Sequence, residues 1–252
     1  MKVTIFGATG FSGKSILTEA LKQGHEVTIL VRDASKVQIK QKNLTIIEGN
    51  VLVPQTVASV LHHQEAVIQC LGVGGKGDGK PTTFISDATK VIVDEMQKLN
   101  IKRLIAMSNV GAGNSIAFQP WFFTKIILPY FMKWLKVIID DKNQMEPIIM
   151  NSNLDWTIVR CPNIVDKPAK GRCKATLDGK GLKLSITLPD LSKFMVNKQQ
   201  KRLSINRRPV LAIDMDSQQP TTYISTKLGK IAVYQKSVDS DKAPIILLHG
   251  VY

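Results

Sequence analysis

Hydrophobic positions along this chain alternate between two periods. Lys2-Val3-Thr4-Ile5-Phe6 is a short, β-branched, apolar run and predicts a strand. From Lys14 to Gln23 the apolar residues Ile16, Leu17, Ala20 and Leu21 fall on one helical stripe, which Gly24 ends. Strand-like runs return at Glu26–Val31, Leu44–Glu48, Ala66–Leu71, Lys102–Met107 and Asp155–Ile164, the last including its exit loop. Helical stretches lie between them: Pro54 to Leu61, with proline suited to the first turn, Thr82 to Leu99, and Asp141 to Met150. Strands that alternate with helices in this way predict an α/β protein with a parallel sheet.

The first strand–helix junction carries the chemistry. Gly7-Ala8-Thr9-Gly10-Phe11-Ser12-Gly13 links strand to helix, and its glycines are spaced three apart. A Walker loop requires glycine where Ala8 stands, so Gly13-Lys14-Ser15 does not complete one. A glycine-rich turn between strand and helix places backbone N–H groups and the helix dipole at a pyrophosphate. Gly7, Thr9, Gly10, Phe11, Ser12 and Gly13 are therefore the expected dinucleotide loop. The fold expected is α/β, a Rossmann-type doubly wound parallel sheet with a short β-rich C-terminal tail. At the end of the second strand, Arg32 precedes Asp33. Arginine can pair with a 2′-phosphate, so NADP(H) is expected over NAD(H), with Lys36 a possible helper and Asp33 softening the preference.

Composition narrows the setting. At 252 residues one main domain is the natural size. Net charge is +14 and the isoelectric point near 9.7. The lysines are scattered and accompany no nucleic-acid motif, so they are read as a solvated surface that attracts an anionic dinucleotide. Cys70, Cys161 and Cys173 form no Cys-x-x-Cys pair, and their odd number suits a reduced, cytoplasmic protein. A strand beginning at Lys2 leaves no expected signal peptide. The segment Ile116 to Ile139 holds Phe118, Trp121, Phe122, Phe123, Tyr130, Phe131 and Trp134. Lys125, Lys133, Lys136, Pro120 and Pro129 interrupt it, which argues against a membrane span. It is expected to form a loop-and-helix lid on a flat apolar pocket, with some rings in the core and membrane-surface contact secondary. Gly74 to Lys80 imitates a second Walker loop but meets Pro81. A mobile loop is the simpler expectation there.

The three-apart glycines resemble those of short-chain dehydrogenase/reductase relatives. The stretch Lys142-x-x-x-Glu146 followed by Asp155-Trp156-Thr157-Ile158-Val159-Arg160 strengthens this, as do Thr176–Gly181 and Pro189-Asp190-Leu191. If Lys142 is the lysine of the family's Tyr-x-x-x-Lys, the tyrosine position is Ile138; Tyr130 is no substitute, because Trp134 follows it at the lysine spacing. The chain thus resembles the atypical NAD(P)H-binding group that includes flavin reductase/biliverdin-IXβ reductase and NmrA-like proteins. The bilin reductase has Thr-Ser and Pro-Pro-His where this chain has Ser108-Asn109 and Cys161-Pro162-Asn163. The resemblance implies that Asn50 and Val51 meet adenine. Leu71 is a further expected cofactor contact, and Gly72 and Val73, leaving the carboxyl end of the fourth strand, are expected to pass the ribose. The resemblance also implies that Ser108 and Asn109 reach the carboxamide or substrate, and that Pro162, Asn163 and Ile164 wall the nicotinamide pocket. Ser108 and Lys142 are the candidate catalytic residues.

The expected division is 1–213 for the dinucleotide-binding domain and 214–252 for a linker and β-strand tail. Arg208 to Ile213 reads as an edge strand and Asp214 to Pro220 as a linker. Thr222–Thr226, Lys230–Gln235 and Ala243–Gly250 then read as strands. Ile245-Ile246-Leu247-Leu248-His249-Gly250 resembles the opening of an α/β-hydrolase, without a nucleophile elbow after it. The tail is either a truncated fusion or extra strands for the sheet or a second protomer. The expected activity is NADPH-dependent hydride transfer to a planar small molecule such as a flavin or quinone, in a monomer or homodimer with no nucleic acid and no integral membrane segment. The alternative is a non-catalytic NADP(H)-sensing regulator of NmrA type. A sugar-nucleotide epimerase is disfavoured by the missing tyrosine.

Overall fold

A computed structural model of the chain describes residues 1–74, 79–118, 121–171, 173–176, 185–200, 222–226, 229–233 and 245–250. The elements run β1 (Lys2–Phe6), α1 (Phe11–Lys22), β2 (Glu26–Val31), β3 (Leu44–Glu48), α2 (Pro54–Leu61), β4 (Ala66–Gln69), α3 (Phe84–Lys98), β5 (Arg103–Asn109), α4 (Lys133–Met150) and β6 (Asp155–Cys161). There follow β7 (Asn163–Val165), β8 (Cys173–Thr176), β9 (Ser185–Thr187), α5 (Leu188–Gln200), β10 (Thr222–Thr226), β11 (Gly229–Val233) and β12 (Ile245–Gly250). The main sheet has the order β3-β2-β1-β4-β5-β6-β12-β8. Its first six strands are all parallel. The order reverses between β1 and β4, the switch point at which open α/β sheets bind ligands.

Helices cover both faces of the sheet, which is why its strands read as nearly continuous apolar runs. Val3 and Ile5 of β1 face Ile16, Leu17 and Ala20 of α1, with Leu191 and Met195 of α5 beside them. Phe6 points the other way, into Val57 and Leu61 of α2, Ile85 and Ile92 of α3, and Met145 of α4. Thr4 shares that second face, where its hydroxyl donates to the Val60 carbonyl at 3.1 Å. The alternation is the two-residue period of a strand buried on both sides.

Several boundaries differ from the hydrophobic pattern for local reasons. α1 begins at Phe11 rather than Lys14, since Gly10 is extended and acts as its N-cap. β5 continues through Ser108 and Asn109, which pair with Arg160 and Cys161 of β6. α4 begins at Lys133, eight residues before Asp141, and follows a π-helical segment, Phe123–Phe131, that contains Pro129. Of the aromatics of Ile116–Ile139 whose side chains are described, Trp121, Phe122, Tyr130 and Phe131 are exposed and Trp134 is half-buried, so none is fully buried in the core. β10 and β11 form an antiparallel pair, whereas β12 joins the main sheet, parallel to β6 and antiparallel to β8. The expected strand at Arg208–Ile213, the linker Asp214–Pro220, the motif stretch 177–181 and loop residues 75–78 lie outside the described residues.

Candidate dinucleotide site

The glycine loop is built so that backbone replaces side chains at the switch point. Gly7 has φ +85°, and a Cβ there would lie 2.6 Å from the Cys70 carbonyl oxygen. The Gly10 N–H donates to the Gly7 carbonyl at 3.0 Å, which closes the turn. A Cβ on Gly13 would press into that same Gly7 carbonyl. α1 can therefore approach β1 only with glycine at position 13. No side chain caps α1, and its first turn has no acidic residue. The free N-terminal end of this helix favours an anion. Ser12 is buried under the loop, Thr9 is half-buried, and Phe11 is exposed beside it.

At the end of β2 the acid and the base are treated differently. Asp33 Oδ1 accepts from the Ser35 N–H at 3.0 Å and the Ser35 hydroxyl at 2.5 Å. Lys36 Nζ lies 3.4 Å from Asp33 Oδ2. These contacts, led by the Ser35 hydrogen bonds, hold the Asp33 carboxyl below its ordinary range. Asp33 is thus engaged in its own turn, while Arg32 is exposed next to it. Asn50 also closes a local turn, its Oδ1 accepting from the Leu52 N–H at 3.0 Å. Val51 is buried against the α2 and α3 side of the sheet.

The far end of the site rests on α4. Lys142 is buried and points inward, donating to the carbonyls of Met107 at 2.8 Å and Leu71 at 3.2 Å. It joins the ends of β4 and β5, and burial lowers its pKa from 10.5 to about 8. Ser108 is buried as well, and its hydroxyl donates to Glu146 Oε1 at 2.7 Å. Glu146 in turn takes a two-pronged contact from Arg160, Nε to Oε1 at 2.9 Å and Nη2 to Oε2 at 2.5 Å. Arg160 Nη1 donates to Asn114 Oδ1 at 2.6 Å. Gly113, at φ +54°, lies against the Arg160 guanidinium where a Cβ would collide with it. Asp141 accepts from the Ile85 and Ser86 N–H groups at 2.8 and 2.9 Å and so caps α3. Burial pushes the thiols of Cys70 and Cys161 up to about 12, which keeps them protonated and unreactive.

The structure brings Ser108 and Lys142 to the same end of the sheet, but each is committed to protein partners. Ile138 is half-buried at the tyrosine position. Leu71 is buried and Gly72 exposed just past β4; Asn109 is half-buried at the end of β5. Pro162 and Ile164 are half-buried and Asn163 exposed where β6 gives way to β7. Glu146, Arg160 and Asp141 carry much of the organisation, yet none was a candidate from sequence. Their signal was the pair Lys-x-x-x-Glu and Val-Arg, which looked like a family signature rather than an ion pair. A cleft of about 530 Å³ lies apart from the glycine loop, lined by Leu52, Pro81, Phe84, Val137 and Asp140 among others.

A switch-point glycine loop, an open helix N-terminus and a lysine under the far end define a Rossmann-type dinucleotide-binding protein. The chain belongs to the NAD(P)H-binding family, whose profile matches residues 7–200. It is 30% identical over 162 residues to the photosystem II assembly factor Ycf39 of Synechocystis, a match spanning 64% of this chain and 44% of that protein. The chain thus spans under half of that relative's length. Its fold is similar to that of ChuY, an anaerobillin reductase of Escherichia coli O157:H7, at 19% identity and TM-score 0.65, covering 80% of this chain and 92% of the other. A wide-type short-chain dehydrogenase/reductase of Veillonella parvula in complex with NADP is similar at 19% identity and TM-score 0.61, covering 78% and 85%.

Proposed function

We propose that this protein is an NADPH-dependent oxidoreductase that reduces a flat acceptor such as a flavin or quinone. The observation that carries this is the contrast between the two ends of the site. One end is an open glycine cradle beside an exposed Arg32 whose acidic neighbour is already engaged. At the other, the side chains that could act as proton donors are tied to protein atoms. Gly7, Gly10 and Gly13 would admit the pyrophosphate to the α1 N-terminus. Arg32 would pair with the 2′-phosphate, and Asn50 and Val51 would border adenine. Leu71, Gly72, Asn109 and Pro162–Ile164 would enclose the nicotinamide end. The bound dinucleotide supplies the hydride. Ser108 and Lys142 hold the floor of the site in one geometry, so their contribution is orientation. Planar redox acceptors suit such a site, because their reduced forms can take a proton from water. The likeness to ChuY, an enzyme named an anaerobillin reductase, supports an oxidoreductase reading.

In this proposal residues 1–213 form the reductase unit, and 214–252 a tail whose last strand joins its sheet. Its buried thiols Cys70 and Cys161, held in the reduced form, suit a reducing compartment such as the cytoplasm. The engagement of Ser108 and Lys142 also favours a second reading, a non-catalytic NADP(H) sensor. NADPH consumption measured against FMN, riboflavin, quinones and bilins separates the two. Turnover that prefers NADPH to NADH supports the reductase. Arg32→Ala should then weaken NADPH by roughly tenfold or more and leave NADH nearly unchanged, the usual effect of losing a charge-assisted phosphate contact. Firm NADPH binding without turnover on any acceptor makes the protein a sensor.

A further inference from the structure

The segment between β5 and α4 has an apolar outer face that the dinucleotide site does not use. Its inner side is fixed by Leu128, buried against Ala112 and Ile139 with Met132 and Leu135 packed around them. The outer side leaves Ile116, Phe122 and Ile126 exposed, together with Trp121, Tyr130 and Phe131 at 71%, 72% and 77%. Lys125, Lys133 and Lys136 are exposed among them. No Asp or Glu occurs from residue 96 through residue 139. Lys136 reaches forward to Asp140, at 2.6 Å, for its acidic partner.

Large rings gathered on a surface mark a contact site rather than a solvated face. Charge chooses the occupant. A second copy of this chain would bring lysines against lysines across a two-fold interface. An anionic bilayer complements both features, since aromatic rings settle at the headgroup level and lysines reach lipid phosphates on their own flexible stems. Among the described residues no helix is long and apolar enough to cross a membrane, so the segment would lie on the surface. The chain's charge of +14 adds attraction of the same sign. We propose that residues 121–136 dock this protein onto an anionic lipid surface, rings in the headgroup–acyl boundary and lysines toward phosphates. This does not depend on which acceptor, if any, is reduced.

The test is sedimentation of the full chain with vesicles of phosphatidylcholine alone or mixed with phosphatidylglycerol. Binding to the mixed vesicles, weak on phosphatidylcholine and falling with salt, is expected. Trp121→Ser/Tyr130→Ser/Phe131→Ser should lower the partition constant by roughly tenfold or more. Lys125→Gln/Lys133→Gln should remove most of the preference for the anionic lipid. Unchanged thermal melting shows that each variant is folded, and if the aromatic variant fails that control the lysine variant decides. Three outcomes overturn the proposal: no binding of the wild type to mixed vesicles, binding that neither folded variant weakens, or a dimer in sedimentation equilibrium that the aromatic changes dissociate while vesicles are ignored.

Discussion

Arg160 is only 1% exposed, and its charge is tolerable because Glu146 meets it with both oxygens. Removing one partner of such a pair is far worse than replacing both, since it leaves a buried charge alone. Glu146→Ala should therefore cost about 3–5 kcal/mol, read as a lower urea midpoint, with Ser108 losing its acceptor as well. Lys142 makes a pH prediction. Its folded pKa, about 8, is below the ordinary 10.5, so between these values the unfolded chain holds more protons than the folded one. Stability from this group therefore rises with pH across that window. The two buried thiols act oppositely above pH 9, because the folded state retains protons that the unfolded state loses. The clean readout is a comparison: wild type should gain on Lys142→Met by up to about 1.4 kcal/mol per pH unit between 8 and 10, measured by urea unfolding. The ion pair escaped sequence reading because Ser108, Glu146 and Arg160 are 38 and 14 residues apart and meet only after β5, α4 and β6 have assembled. No local spacing marks such a cluster, whereas Gly7, Gly10 and Gly13 fall within seven residues and follow a strand.

At the level of elements, legibility followed the apolar pattern and not burial alone, since β3, with no buried residue, was as legible as the buried β2. β2, β3 and α2 begin and end where the hydrophobic pattern places them, since β2 is packed on both faces and Pro54 marks the start of α2. α4 began earlier than expected because Ile116–Ile139 is apolar on more than one side, so the helical stripe has no clear edge there. The other device at this scale is the cap that α4 provides to α3. Asp141 is fully buried and satisfies the N–H groups of Ile85 and Ser86. Asp141→Ala should cost about 1–3 kcal/mol, seen as a lower melting temperature and faster amide exchange in the first turn of α3. α1 is poised more tightly. Gly13→Ala drives a methyl into the Gly7 carbonyl and should abolish measurable NADPH binding, checked by fluorescence titration, in a chain that still melts cooperatively.

For the whole molecule, the position of β12 links the tail to the stability of the sheet. β12 lies between β6 and β8, so without it the edge of β6 would present unpaired backbone groups. Deleting residues 241–252 should lower the melting temperature and raise light scattering on warming. The basic surface has its own consequence, since attraction of an anionic dinucleotide to a chain of charge +14 is screened by salt. The association rate for NADPH, followed by stopped flow, should fall as salt is added while the dissociation rate changes less. The tail was legible as strands but not as a partner for β6, because pairing between strands so distant in sequence leaves no local trace.

Lys142 gives the last consequence. In clamping two carbonyls across the ends of β4 and β5, it would stand outside a proton relay in the proposed reductase. A reductase built on such a floor cannot discriminate among acceptors by matching an acid to a particular oxygen. Its preferences would follow the electron affinity of whatever flat molecule enters. Breadth across chemically unlike acceptors, ranked by midpoint potential rather than by shape, would be the imprint of a lysine turned from chemistry to architecture.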